Sequence, residues 1–76
     1  MKITLLAFAQ SRDAFGFSER VVEFEEGETA RGLVGRIAPG VEIGNLRVAV
    51  DCEFASWDAA LGNARELAFL PPVSGG

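Results

Sequence analysis

Few residues of this chain can do chemistry. There is no histidine and no tyrosine, one cysteine (Cys52) and one tryptophan (Trp57). General acid–base and nucleophilic catalysis lean on histidine or an activated thiol. Cys52 lies between Asp51 and Glu53, whose negative charge works against a thiolate, so it reads as a packing or surface cysteine. Asp51, Glu53 and Asp58, with Trp57, read as loop structure rather than as a paired acid and base. No metal-ligand spacing is present. What remains is the end of the sequence, Pro71-Pro72-Val73-Ser74-Gly75-Gly76. Two prolines remove two backbone donors and fix φ, so a strand reaching Leu70 stops pairing there. Gly75 and Gly76 have no Cβ and can pass through a slot too narrow for other residues. A glycine carboxylate on such an arm is an acyl group that a partner enzyme can enclose and activate. The bland alternative is a disordered end. Against it, the proline pair follows directly on the apolar run Leu67-Ala68-Phe69-Leu70.

Composition limits the remainder. The 76 residues allow one domain with a small core, and 49% hydrophobic with 24% charged residues is ordinary for a globular chain. The net charge is −4 with scattered basic residues, a poor match to nucleic acid and a better one to a basic protein surface. One cysteine excludes a disulfide framework and fits a reducing cytosol, so a cytoplasmic location is expected. The start, Met1 to Ala9, superficially resembles a short signal peptide but reads better as a strand. No segment is long enough to span a membrane.

The elements that must position the tail follow from periodicity. Residues 2–9 form a near-continuous apolar strand, with Ile3, Leu5 and Ala7 on one side and Thr4, Leu6 and Phe8 on the other. Ser11 to Phe17 reads as a loop. Glu19 to Phe24 alternates as a second strand that forms an antiparallel hairpin with the first. Thr29 is the N-cap of a helix whose stripe is Ala30, Leu33, Val34 and Ile37, ended by Pro39-Gly40. Leu46 to Val50 is a third strand, and a short strand is expected around Phe54. Asp58 to Asn63 reads as one helical turn or a loop with Leu61 inward. Glu66 to Leu70 is the last strand. The expected fold is α+β, with one main helix across one face of a mixed sheet of four to five strands over residues 1–70. Residues 71–76 form an extended tail.

That order resembles the ubiquitin-like β-grasp family, and within it the MoaD-type sulfur carriers, the small subunits of molybdopterin synthases. The likeness rests on Phe8-Ala9-Gln10, the loop with Arg12 and Gly16, and above all Leu67 to Gly76. Two loops depart from the family pattern, Val50-Asp51 and Gly62-Asn63-Ala64-Arg65. The resemblance implies that the chain is not an enzyme on its own and binds no cofactor. A ubiquitin-activating-like adenylyltransferase would use ATP to adenylate Gly76, and a sulfur donor protein would convert it to a thiocarboxylate (1-thioglycine). Inserted into the large catalytic subunit, in an expected heterotetramer, the tail would deliver sulfur to a cyclic pyranopterin precursor. Phe8, Phe54 and Leu70 correspond to hydrophobic docking positions, with Pro71, Pro72, Val73 and Ser74 as further partner contacts. A carrier for thiamine thiazole or tRNA thiolation, a modifier conjugated through Gly76, and a non-covalent β-grasp binding module are the alternatives.

Overall fold

The computed structural model describes residues 1–72. Along the chain run β1 (Lys2–Ala7), α1 (Gln10–Phe15), β2 (Glu19–Glu23), α2 (Ala30–Ile37), β3 (Arg47–Val50), β4 (Glu53–Ala55) and β5 (Glu66–Leu70). The strands form one sheet in the order β2-β1-β5-β3-β4. Among the described residues only β1 and β5 pair in parallel; β1–β2, β3–β5 and β3–β4 are antiparallel. This is the mixed β-grasp sheet expected from the sequence.

Strand parity sorts the core. Ile3, Leu5, Val22, Val48, Leu67 and Phe69 are buried in one cluster with Leu33 and Val34 of α2, and Ile37 packs against it partly buried. Removing a side chain of this size from water contributes about 1.5–3 kcal/mol. Helix α2 starts where its cap allows: the Thr29 side chain accepts a hydrogen bond from the Gly32 amide at 3.0 Å. Its two glycines lower its intrinsic helicity, so its outer side is tied down by other means. The Arg31 backbone N–H donates to the carbonyl of Trp57, and Leu61 N–H donates to that of Glu28. Arg31 Nε reaches Asp58 at 2.8 Å, and the Arg36 guanidinium grips both Glu28 carboxylate oxygens and the Glu23 carbonyl.

Those guanidinium hydrogen bonds, with a backbone N–H at Glu25 adding to the first, hold the Glu28 and Asp58 carboxyls below their ordinary values. A depressed folded-state value stabilises at neutral pH and is lost as pH falls through the carboxylate range. Both pairs are exposed, so salt weakens them.

The segment Ser11 to Phe17, read from sequence as a loop, begins within a helix, Gln10–Phe15. Local propensity does not explain this, since the helix is only 6 residues long and carries Ser and Asp. Tertiary contacts do. Phe15 stacks on Phe69 with ring centroids 4.5 Å apart, and Ser11 is fully buried beneath the end of β1. Gly16, with φ 82°, closes the helix by donating its N–H to the Arg12 carbonyl. The 58–63 segment has no helix; Leu61 is buried and Ala60 bridges to Thr29.

The β3–β4 hairpin turns through Asp51 (φ 48°) and Cys52 (φ 71°), two successive left-handed residues. That geometry suits Asp-Gly far better than Asp-Cys. Cys52→Gly should therefore raise the urea unfolding midpoint, with a gain of up to about 1 kcal/mol. A lower midpoint would show that the turn carries no such strain.

Candidate functional site

Helix α2 covers one face of the sheet, and the opposite face has no helix over it among the described residues. Cross-strand register defines what it presents, since directly paired residues share a face. Leu6, Ala68, Ala49 and Phe54 form one row across β1, β5, β3 and β4. The next position toward the end of β5 pairs Leu70 with Arg47, and Phe8 continues the parity of Leu6. The alanines in the middle keep the row low, whereas Phe54 and Phe8 stand out at 62% and 46% exposure. Leu6 and Leu70 are half-buried. The Arg47 guanidinium carbon lies 5.0 Å from the centre of the Phe54 ring, a cation–π contact that restrains an exposed aromatic group. Exposed Phe8 and Phe54 flanking half-buried Leu6 and Leu70 over a buried alanine floor, with a polar rim, make an apolar surface of the kind a partner can dock on. Here the rim includes Glu19 beside Leu6 on β2 and Glu66 on β5.

The root of the tail opens from this face. β5 is the central strand, gripped by β1 on one side and by β3 on the other up to the Arg47–Leu70 pair. Pro71 and Pro72 then lack the N–H groups that further pairing needs. Pro71 is half-buried and Pro72 exposed. Val73, Ser74, Gly75 and Gly76 lie outside the described residues.

Two further side chains meet at this root. Trp57, which donates its indole N–H to the Leu46 carbonyl at 2.9 Å, stacks on Phe69 from the helix side. Ser11 is the buried polar residue of the core, and its hydroxyl contacts the backbone of Phe8 and of Phe69. The structure does not bring Cys52 here. It is exposed on the β3–β4 turn, at the end of the sheet where β5 begins. Asp51 has a structural task, its Oδ1 accepting the backbone N–H groups of Arg65 and Glu66 at 3.0 Å each. Asp58 pairs with Arg31 on the helix side. Among the described residues no group of acidic or cysteine side chains could hold a metal ion, and no helix is long and apolar enough to cross a membrane.

Phe8, Phe54 and Leu70, singled out in the sequence, thus share one face of the sheet, and the floor between them was not visible there. Ala49, Ala68 and Leu6 carry no chemical signal of their own, and only the strand register puts them in one row. Arg47 was visible as the polar member of an alternating strand, though its partner Phe54 was not. Ser11 was hidden by its residue type, which is common in loops.

Residues 5–76 match the ThiS family. The molybdopterin synthase sulfur carrier subunit of Haemophilus influenzae is 32% identical, with the match covering 97% of this chain and 99% of that one. Among solved structures, a Pyrococcus furiosus protein provisionally named molybdopterin converting factor, subunit 1, superposes with a TM-score of 0.75 at 24% identity, over 96% of this chain and 99% of the other. The small archaeal modifier protein 1 of Haloferax volcanii gives 0.69 at 22% identity, over 95% and 98% of the two chains. These two likenesses establish the fold, and the family match with its curated relative goes further: this chain belongs to the ThiS/MoaD family of small sulfur carriers.

Proposed function

We propose that this chain is the sulfur-carrier subunit of a molybdopterin synthase. The observation that carries the reading is the end-to-end similarity to a curated sulfur carrier subunit of that enzyme. The geometry supports it, because a bare apolar face beside the tail root lets one docking event deliver the tail.

The cycle begins when an adenylyltransferase joins the Gly76 carboxylate to the α-phosphate of ATP, releasing pyrophosphate. The resulting acyl adenylate has a good leaving group, which a free carboxylate lacks. A persulfide on a donor protein attacks the carbonyl carbon and AMP departs; a second thiol then cleaves the S–S bond, forming a disulfide on the donor side and releasing a thiocarboxylate on Gly76. Its sulfur is soft and strongly nucleophilic near neutral pH. Docked on the large subunit, it attacks the pyranopterin precursor, and water then regenerates the carboxylate. This chain supplies the carried sulfur and the docking face. Acid, base and anion-binding groups come from the partners, because the chain has no histidine.

A thiamine-type carrier would share the loading step and differ in the acceptor. A protein modifier is disfavoured by a tail without arginine after Arg65. Intact mass after incubation with the adenylyltransferase, ATP and a sulfur donor should show one oxygen replaced by sulfur. An unchanged mass with a competent partner would end the carrier reading. Adding the large subunit and the pyranopterin precursor should then yield the dithiolene product, and none would form from a thiamine-type carrier.

Two sets of variants test the parts. Extending the chain beyond Gly76, or Gly75→Val, should abolish loading while leaving the unfolding temperature nearly unchanged. Normal loading of either would remove the tail from the mechanism. Phe8→Ala, Phe54→Ala and Leu70→Ala should each weaken partner binding about tenfold or more, since each buries about 1.5–3 kcal/mol of apolar surface. Unfolding of the domain without a specific binding loss would make these core residues instead.

A further inference from the structure

We infer that Ser11 is a positioning residue for the tail, acting as a wedge in the hydrogen-bond ladder between β1 and β5; this rests on the carrier reading above. The ladder's own periodicity exposes the wedge. Thr4 N–H donates to the carbonyl of Arg65, one residue before its register partner Glu66. Four residues on, the same pattern would have Phe8 N–H donate directly to the carbonyl of Phe69. It does not. Phe8 N–H donates to the Ser11 hydroxyl oxygen at 2.7 Å, and that hydroxyl stands 2.8 Å from the Phe69 carbonyl.

A single hydroxyl proton serves two neighbouring carbonyls, Phe8 at 2.9 Å and Phe69 at 2.8 Å. The Phe8 carbonyl already receives the Ser11 backbone N–H at 3.0 Å. The proton is therefore best spent on Phe69, which completes a relay from Phe8 N–H through the Ser11 oxygen to the Phe69 oxygen. Ser11 is fully buried, so water does not compete for these bonds.

The wedge has a directional consequence. Inserting an oxygen atom into the last rung holds β1 and β5 further apart there than a direct N–H to carbonyl bond would. This happens one residue before Leu70 and two before Pro71, where the tail leaves the sheet. β1 diverges at the same point, turning into α1 through Ala9 at φ 50°. The splay at this rung sets the angle between the tail and the docking face, which carries Phe8 on one side of the rung and Leu70 on the other. With stiff prolines next, a small angular change at Phe69 passes directly to Pro71 and Pro72, the first residues of the arm.

Ser11→Ala removes the wedge, letting the rung close directly or fill with water, and leaves the apolar face unchanged. Steady-state adenylation of the full-length chain by its adenylyltransferase, read as ATP–pyrophosphate exchange, separates docking from aiming. The expected result is a KM for the carrier within about twofold of the unaltered chain and a kcat lower by about tenfold or more, since misplacement by an ångström costs up to about a hundredfold. Val22→Ala, a core change on β2 far from the tail, is the control for lost stability and should keep kcat. If Ser11→Ala does not fold, Ser11→Cys keeps a side chain in the site with only weak hydrogen bonding and should show the same split. An unchanged kcat in the folded variant, or a loss that follows stability equally in Val22→Ala, overturns the inference. No exchange with the unaltered chain would instead count against the proposed function.

Discussion

The parallel pairing of β1 with β5 is the contact on which the rest of the structure depends. It joins the two ends of the sequence, Thr4 to Glu66 and Ala7 to Phe69, across everything that lies between. A parallel pair cannot be closed by a tight turn, so the intervening chain must cross over, and α2 is the crossover. Once β5 lies beside β1 it has only one free edge, which β3 takes, and β4 follows by a two-residue hairpin. The consequence for function is direct. The strand that ends in the tail is the centre of the sheet, so its exit is held from both sides.

One helix across five strands divides the molecule into two unlike faces. The helix side is finished: Arg36 and Arg31 are paired, Thr29 caps, and Leu33 and Val34 are buried. The other side ends in side chains that no helix covers among the described residues, with Phe54 the most exposed large hydrophobic residue. A carrier must be recognised by several proteins in turn, so an apolar face without partners of its own is a sensible arrangement. The alanine floor lowers the patch between Phe8 and Phe54, and Glu19 and Glu66 place negative charge on its rim.

Most of this was legible in the sequence, for identifiable reasons. Period-two alternation placed Ile3, Leu5, Val22, Leu67 and Phe69 in the core, and helical spacing with a capping threonine placed α2. Those signals are properties of single elements. The misses were properties of pairs. Helix α1 exists because Phe15 stacks on the Phe69 ring and the Ser11 hydroxyl reaches the Phe69 carbonyl, and Phe69 is far away in sequence. The row Leu6-Ala68-Ala49-Phe54 needs the register of four strands before it can be seen. Arg47 over Phe54 needs the same. The family resemblance supplied the sulfur chemistry, which composition alone could limit only by excluding histidine, metal and thiol mechanisms from this chain's own side chains.

In the proposed cycle, partners read the bare sheet face and the tail root, not the helix face. Amide chemical-shift mapping of the isotope-labelled chain titrated with its adenylyltransferase tests this most directly. The largest perturbations are expected at Leu6, Phe8, Ala49, Phe54, Ala68 and Leu70, with Arg31, Gly35 and Arg36 of α2 nearly unmoved. Perturbations concentrated on α2 and its Glu28–Arg36 end, with the outer-face amides unchanged, would contradict it.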